Sequence, residues 1–212
     1  MASITNSVNL LAQESSRSGH DFETGIIGNI PSSHHYLEAR ASELLDLVKL
    51  QVEGLHLELE PIDIDTIVQG VVERLLSIIC DREQSLTLNL ACNAPKIVAD
   101  SLRIEQVLHH LVFNASKSTP VGGSILISTN KQAGYVVVKI QDSSLRVPQE
   151  EQHGLFQLYY QLKGDKGKQV SEIGLGLALC KHLIELHGGR IWMENEGNSS
   201  NIFAFTLPLD NS

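Results

Sequence analysis

The chain has 212 residues, of which 42% are hydrophobic, enough to form one well-buried core and a smaller second element. Its formal charge of −9 comes from scattered acidic residues, whereas a nucleic-acid binder usually carries a basic face. No window approaches the roughly 20 apolar residues that would span a bilayer. The three cysteines form no CxxC pair or Cys/His ligand spacing, and each is expected in the core. We expect a cytoplasmic protein without nucleic-acid or membrane partners.

The first fifty residues are predicted to form two antiparallel helices, separated by a polar stretch at 15–19. Apolar side chains recur every three or four positions over 4–11 and again over 27–48. A two-helix hairpin cannot bury both apolar stripes by itself, so we expect a homodimer that forms a four-helix bundle. The predicted domains are therefore a dimerisation hairpin over 1–52 and a second domain over 53–212.

After the hairpin, strands alternate with long helices, which predicts an α+β protein whose second domain is an α/β layer sandwich. A polar, irregular stretch is expected between residue 142 and residue 173. The predicted elements, in chain order, are a strand at 55–64, a helix at 65–82 with Asp65 as its N-cap, a strand at 85–91, an extended piece at 96–100, a helix at 102–118, strands at 123–130 and 135–142, a helix at 175–187, and strands at 190–196 and 202–208.

The helix predicted at 102–118 carries a row of polar side chains opposite its apolar face. His110, Asn114 and Lys117 follow one another at i, i+4 and i+7 and so lie along one line. An amide oxygen suits a magnesium ion that keeps most of its waters, and a lysine one turn on can reach a phosphate oxygen. A solvated polar face produces the same pattern. The predicted core face consists of Ile104, Leu108, Leu111 and Ala115.

Two further segments have the composition of a ligand site. Gly174, Leu175 and Gly176 stand directly before a predicted amphipathic helix, where a glycine turn and free amides favour phosphate oxygens. Asp142 ends a buried strand, and its carboxylate there could accept a hydrogen bond from the amino group of a purine. An aspartate that only begins a turn explains the same residue equally well.

Read in order, five segments resemble the sensor histidine kinases. They are HHLVFNASKST, VKIQDSSLRVP, LFQLYYQ, GLGLALCKHLIELHGGRIWMENE and FAFTLP. The ATP-binding domain of that family has a fold of the type found in heat-shock chaperone ATPases, DNA gyrase and mismatch-repair ATPases. The segment ELLDLVKLQVEGLHLELEPIDI is similar to the end of the family's dimerisation helices and the linker that follows. The resemblance covers essentially the whole chain and implies two-component phosphorelay signalling.

The resemblance implies a role for each matching residue, with ATP and Mg²⁺ as cofactors. Asn114 would bind the metal, Lys117 a phosphate, and Asp142 the adenine. His110 takes the catalytic position one turn before the metal ligand. Phe156 would belong to the aromatic motif of a mobile lid over 157–173. The remaining residues of the predicted nucleotide site are Ser144, Gly174, Leu175, Gly176, Lys163, Lys166 and Lys168, the three lysines being candidates to cover the γ-phosphate.

The chain also departs from the family pattern. His110 replaces an asparagine or a related polar residue, and Ser144 and Arg146 replace the two glycines of the DxGxG motif. Glu172 replaces the first glycine of the GxGLG turn. Ser200-Asn201 stands in place of the glycine-threonine pair expected before the last strand. These changes leave low or absent ATP affinity open as an alternative.

The phosphoacceptor histidine of the family lies in an HExxxP-like motif, and none of the nine histidines has that context. The chain begins at Met1, just past that point, so we do not expect this chain alone to phosphorylate itself on the usual histidine. The first hypothesis is a histidine kinase module that binds Mg-ATP, with a response regulator as partner. The second is a non-catalytic adaptor or pseudokinase that docks a regulator or kinase. A chaperone-type ATPase is disfavoured, because His110 stands where those enzymes carry a carboxylate.

Overall fold

The computed structural model describes residues 55–91, 97–152, 154–157, 175–196 and 200–209. It divides the chain into two units, residues 1–55 and residues 56–212, and all described residues except Leu55 belong to the second. The predicted hairpin lies outside the described residues, as does the predicted lid beyond residue 157. The individually predicted residues that also lie outside them are Lys163, Lys166, Lys168, Glu172 and Gly174.

The described residues form a mixed sheet with helices packed against it. The elements are β1 (Glu60–Ile62), α1 (Ile64–Asp81), β2 (Ser85–Asn89), β3 (Ile97–Ala99), α2 (Ser101–Ser118), β4 (Ser124–Gln132), β5 (Tyr135–Asp142), α3 (Gln149–Gln152), α4 (Gly176–Leu186), β6 (Ile191–Glu196) and β7 (Ser200–Pro208). This arrangement confirms the prediction of an α+β fold with helices layered on a sheet.

The main sheet has the strand order β2-β4-β5-β7-β6. Strands β2 and β4 run parallel, and the other neighbours are antiparallel. Strand β5 is central and pairs along its whole length with β4 on one side and β7 on the other, so that Asp142 lies opposite Asn201. A separate antiparallel pair is formed by β1 and β3.

Helix α2 lies between α1 and α4 and packs against β5. Its buried face holds the predicted residues Ile104, Leu108, Leu111 and Ala115, together with Val107 and Val112. Burying one aliphatic side chain of this size contributes about 1.5–3 kcal/mol, so this face alone fixes the helix to the sheet. The polar row predicted on α2 lies outside this buried face, with His110 and Asn114 half-buried and Lys117 exposed.

Both ends of α2 are held by buried polar side chains. At the start, Asp100 is the N-cap and accepts a hydrogen bond from the Arg103 amide at 3.1 Å. The Asp100 amide donates to Nε2 of His187 at 3.0 Å, while Nδ1 of His187 lies 2.7 Å from the Leu183 carbonyl oxygen. His187 therefore links the start of α2 to the end of α4 in one neutral tautomer.

At its C-terminal end, α2 is capped by a side chain from outside the helix. Nε2 of Gln84 donates to the carbonyl oxygens of Ser116 and Thr119, each at 2.8 Å. The Ser116 hydroxyl donates back to Oε1 of Gln84 at 2.8 Å. Because the last carbonyls of a helix have no partner inside it, Gln84 satisfies groups that would otherwise be buried without a hydrogen bond.

The structure corrects several predicted boundaries. The first strand is only Glu60–Ile62, and the following helix is capped by Asp63, not Asp65. Asp63 is extended and Oδ1 accepts from the amides of Asp65 and Thr66, whereas Oδ1 of Asp65 accepts from the Thr129 hydroxyl at 2.6 Å. An N-cap carboxylate bonds the amides two and three positions on, so the cap lies two residues earlier than predicted.

Three smaller corrections concern local sequence. The stretch predicted as irregular contains the short helix α3. Ser200 and Asn201 lie inside β7 and not before it, because the ladder with β6 extends to both of them and the ladder with β5 extends to Asn201. Cys80 is exposed, while Cys180 is buried as predicted. Among the residues that the structure describes, no helix combines the length and apolar character needed to span a membrane.

Candidate functional site

The site begins with a buried carboxyl at the end of the central strand. Asp142 is only 2% exposed, and burial raises its pKa above the usual value. Hydrogen bonds from the side chain and amide of Ser144, and from the side chain of Asn201, act in the opposite direction. A buried carboxyl at a strand end, above the helices that pack on the sheet, is suited to recognise a polar edge of a ligand.

The loop that follows Asp142 is tied back to this strand. The Ser144 amide donates to Oδ1 of Asp142 at 2.9 Å. Nδ2 of Asn201 donates to the Ser144 hydroxyl oxygen at 2.7 Å and to the Leu145 carbonyl oxygen at 2.9 Å. Ser144 and Asn201 are thus direct hydrogen-bond partners.

The backbone amide and the carbonyl oxygen of Val147 are both bound by side chains of strands β6 and β7. Its amide donates to Oδ1 of Asn201 at 3.0 Å, and its carbonyl oxygen accepts from Nδ2 of Asn195 at 3.0 Å. Nε2 of Gln152 donates to the same carbonyl oxygen at 3.3 Å. Asn195 and Asn201 lie opposite each other in the β6–β7 ladder. One pair of cross-strand neighbours therefore binds both backbone groups of one loop residue.

The polar row on α2 is present, with a different environment for each member. His110 and Asn114 are half-buried and Lys117 is exposed. Nζ of Lys117 lies 5.5 Å from the centroid of the Phe113 ring, over which it makes a cation–π contact. The ring of His109 stacks on the same Phe113 ring, and the two ring centroids are 6.1 Å apart.

Helix α4 meets α2 at a glycine. A methyl group added to Gly176 would overlap the imidazole of His110, so the two helices approach at a point where only glycine fits. Leu175, the N-cap residue, is 3% exposed, and no side chain within the described part of the chain caps the helix. The first amides of α4 therefore form a helix N-terminus of the kind that binds anions.

The aromatic residue of the predicted lid motif contacts the sheet. The Phe156 ring packs edge-on against Phe203 of β7, with centroids 6.3 Å apart. Leu155 beside it is buried. The segment that leads into the predicted lid is therefore attached to the strand that also carries Asn201.

The structure thus groups the described site residues in two places. His110 lies against Gly176 where α2 meets α4, and Asp142 lies with Ser144 at the end of β5. Asn195 and Asn201 were not among the predicted site residues. The departure at Asn201 was visible in the sequence, but its contact with Ser144, 57 residues away, depends on a strand register that no local pattern gives.

The fold is that of an ATPase-type domain. The sequence profile described as histidine kinase-, DNA gyrase B-, and HSP90-like ATPase matches residues 99–211. The adaptive-response sensory kinase SasA of Gloeothece citriformis is 35% identical over 165 residues, which make up 76% of this chain and 39% of that protein. The chain spans less than half the length of this and the other curated relatives it matches.

Solved structures show the same likeness. The catalytic domain of histidine kinase ThkA superposes with a TM-score of 0.64 at 28% identity, covering 72% of this chain and 96% of that domain. Histidine kinase ThkA in complex with the response regulator protein TrrA gives a TM-score of 0.69 at 22% identity, covering 98% of this chain and 59% of that one, and supports the fold. The chain belongs to the family of histidine kinase-, DNA gyrase B- and HSP90-like ATPases. Its ATPase domain is of the histidine kinase type found in two-component signalling.

Proposed function

We propose that this chain binds Mg-ATP and acts in a two-component phosphorelay as the module that transfers the γ-phosphate to a histidine. The observation that carries the proposal is Asp142, a buried carboxyl that ends the central strand of a histidine-kinase-type ATPase domain. The domain boundary at 52/53, the dimerisation hairpin and the response-regulator partner belong to the same proposal.

Asp142 fits the recognition of adenine. An ionised carboxylate offers about four lone-pair sites, and the amide and hydroxyl of Ser144 account for two of them. The 6-amino group of adenine is a donor that matches a remaining site. Guanine presents a carbonyl oxygen at that position, which an ionised Asp142 would repel.

The helices supply groups that suit the phosphates and the metal. Asn114 offers a half-buried amide oxygen, a hard ligand for Mg²⁺, and the uncapped N-terminus of α4 offers backbone amides for phosphate oxygens. Lys117 adds an exposed ammonium on the same face of α2. Magnesium, when bound, neutralises phosphate charge during phosphoryl transfer. The predicted lid lysines Lys163, Lys166 and Lys168, with Gly174, complete the proposed nucleotide site.

His110 is assigned a positioning role within this function. Its ring fills the space above Gly176 and so sets the distance between the row on α2 and the N-terminus of α4. Catalysis of phosphoryl transfer depends mainly on such placement of charged groups. The contact supports a role in alignment, and the catalytic role predicted for His110 stays a prediction.

Isothermal titration with Mg-ADP and Mg-ATP tests the binding step. We expect binding by the intact chain and about tenfold weaker binding by Asp142→Asn. Gln141→Ala is the control and should leave binding unchanged, because Gln141 precedes Asp142 on β5 but its side chain binds Glu196 of β6 and Ser200 of β7. Absence of binding by the intact chain would overturn the proposal.

Phosphotransfer is tested separately. A peptide-fused or full-length acceptor bearing an HExxxP motif is incubated with the chain and radiolabelled Mg-ATP, and acid-labile, base-stable label is measured. Label on the acceptor supports the kinase. Mg-ATP binding without any label would favour the non-catalytic adaptor.

A further inference from the structure

The loop after Asp142 lacks the two glycines of the family motif, yet its backbone is held in one conformation. Both backbone hydrogen-bonding groups of Val147 and the carbonyl of Leu145 are bound by side chains of β6 and β7. We propose that Asn195 and Asn201 form a carboxamide clamp that fixes the loop over residues 143–148 and thereby makes Asp142 selective for adenine. The selectivity step rests on the proposed nucleotide binding, whereas the clamp itself does not.

Asn201 is almost fully used by the clamp. It is 2% exposed, donates to Ser144 and Leu145 through Nδ2, and accepts from Val147 through Oδ1. A threonine, as in the family pattern, has one hydroxyl and cannot make all three bonds. Ser144 stands in place of a loop glycine and Asn201 in place of the threonine. The two replacements are therefore coupled, because the two side chains hydrogen-bond to each other.

The clamp acts on Asp142 through a short relay. Asn201 donates to the Ser144 hydroxyl oxygen, which leaves the hydroxyl proton for Asp142, and the Ser144 amide donates to the same carboxyl. These two donors fix the orientation of the carboxyl, so that the lone pairs left over have fixed directions and a donor on the ligand must match one of them. Asn195 and Asn201 are thus positioning residues for base selection.

Asn195 forms the second half of the clamp, and one of its side-chain atoms gives independent support for the proposal. Its Nδ2 is bound to Val147, while its Oδ1 is a buried oxygen that has no hydrogen-bond partner within the described part of the chain. An unsatisfied oxygen costs free energy, so the position is not optimised for stability alone. The orientation of this amide is set by the bond to the loop.

Hydrogen exchange of the ligand-free chain tests the clamp. We expect the Val147 amide to exchange slowly in the wild type and about tenfold faster in Asn201→Ala, because that amide loses its acceptor. Exchange in β4 and α1 should not change, and Gln141→Ala should leave Val147 unchanged. Equal exchange of Val147 in the wild type and Asn201→Ala would overturn the clamp, whether or not the chain binds nucleotide.

Titration with two nucleotides tests the selectivity. The ligands are Mg-ADP and the Mg²⁺ complex of purine riboside diphosphate, which lacks the 6-amino group. For Asn201→Ala we expect about tenfold weaker binding of Mg-ADP but less than about twofold weaker binding of the analogue. Asn195→Ala should shift the ratio in the same direction. An equal loss for both ligands would show a merely structural role and overturn the positioning proposal.

A paired reversion distinguishes coupling from independent effects. Ser144→Gly and Asn201→Thr each restore one residue of the family pattern, and the double variant restores both. If the residues are coupled, the double variant should recover the Mg-ADP preference that each single variant loses. Additive losses in the double variant would refute the coupling. If the wild type binds neither nucleotide, the proposed function and the selectivity fail together, and Val147 exchange still decides the clamp.

Discussion

At the scale of single residues, Asp142 combines two opposing demands. Burial disfavours its charged form and raises its pKa, while the hydrogen bonds from Ser144 and Asn201 favour the charged form without outweighing burial. A carboxyl kept for recognition in such a place lowers the stability of the fold whenever it is ionised. This cost is the kind expected at a functional site.

The sign of this effect leads to a pH-dependent prediction. Because the pKa of Asp142 is raised, the folded chain keeps a proton that the unfolded chain releases near its ordinary value of 3.8. The free energy of unfolding therefore falls as the pH rises from that value through the folded pKa, and it stays reduced above it. Asp142→Asn removes this penalty, so its Tm should exceed that of the wild type at about pH 7, with each kcal/mol worth about 2–4 °C.

Thermal unfolding followed by circular dichroism at several pH values measures the difference. The gain of Asp142→Asn should shrink as the pH falls through the folded pKa towards 3.8 and should vanish below it, where the carboxyl is protonated in both the folded and the unfolded chain. A difference in Tm that is constant across the whole pH range would contradict this explanation, since it would show that charge is not its cause.

At the scale of elements, the contact between α2 and α4 includes the tightly packed pair His110 and Gly176. The two helices are also joined by His187, which binds the Asp100 amide at the start of α2. The His110 ring sets the distance between α2 and α4 at Gly176, because it fills the space that a side chain at position 176 would need. Packing of this density responds to the addition of a single methyl group.

This contact predicts compensation between two substitutions. Gly176→Ala should lower the free energy of unfolding by about 1–3 kcal/mol, because the methyl group overlaps His110. The double variant His110→Ala/Gly176→Ala should recover much of that loss. Urea unfolding of the wild type, both single variants and the double variant measures the coupling.

Gly70→Ala provides the matched control for this experiment. Gly70 also lies in a helix, but a methyl group there would meet only Arg74 at an ordinary contact distance of 3.8 Å. Alanine should therefore stabilise α1 by up to about 1 kcal/mol through its helix propensity. A Gly176→Ala variant that is as stable as Gly70→Ala would refute the packing explanation.

At the scale of the whole molecule, residues 56–212 carry the ATPase domain and residues 1–52 the proposed dimerisation hairpin. If the apolar stripes of the hairpin pair between copies, the intact chain should be a dimer and a chain that begins at Leu55 should be a monomer. Light scattering coupled to gel filtration measures both masses. The shortened chain should bind Mg-ADP within about twofold of the intact chain, because every residue proposed for the nucleotide site lies after residue 109. An intact chain that stays monomeric at high concentration would contradict the hairpin assignment.

Local patterns predicted most elements of this molecule. The spacing of Ile104, Leu108 and Leu111 placed α2 within one residue, because helical periodicity is a property of neighbouring residues. The N-cap Asp63 was missed, since Asp65 lies close enough to serve as well by sequence alone. The position of Asp142 at the end of a strand was predicted from the apolar run that precedes it.

Contacts between distant segments could not be predicted in the same way. The His110–Gly176 contact requires the crossing of two helices, and the Asn201–Ser144 bond requires the register of β5 and β7. His110, Gly176, Ser144 and Asn201 were all noted in the sequence. Which of them contact one another could not be predicted. Side-chain hydrogen bonds across a sheet depend on geometry that only the folded chain supplies.

Strand β5 is paired on both sides along its full length, so the Asp142 backbone is anchored independently of the loop that follows it. Sequence change in that loop can therefore alter what surrounds the carboxyl without displacing it. Substitutions in the loop should therefore change the hydrogen-bond partners of Asp142 while the position of its Cα stays the same, because two strands hold it.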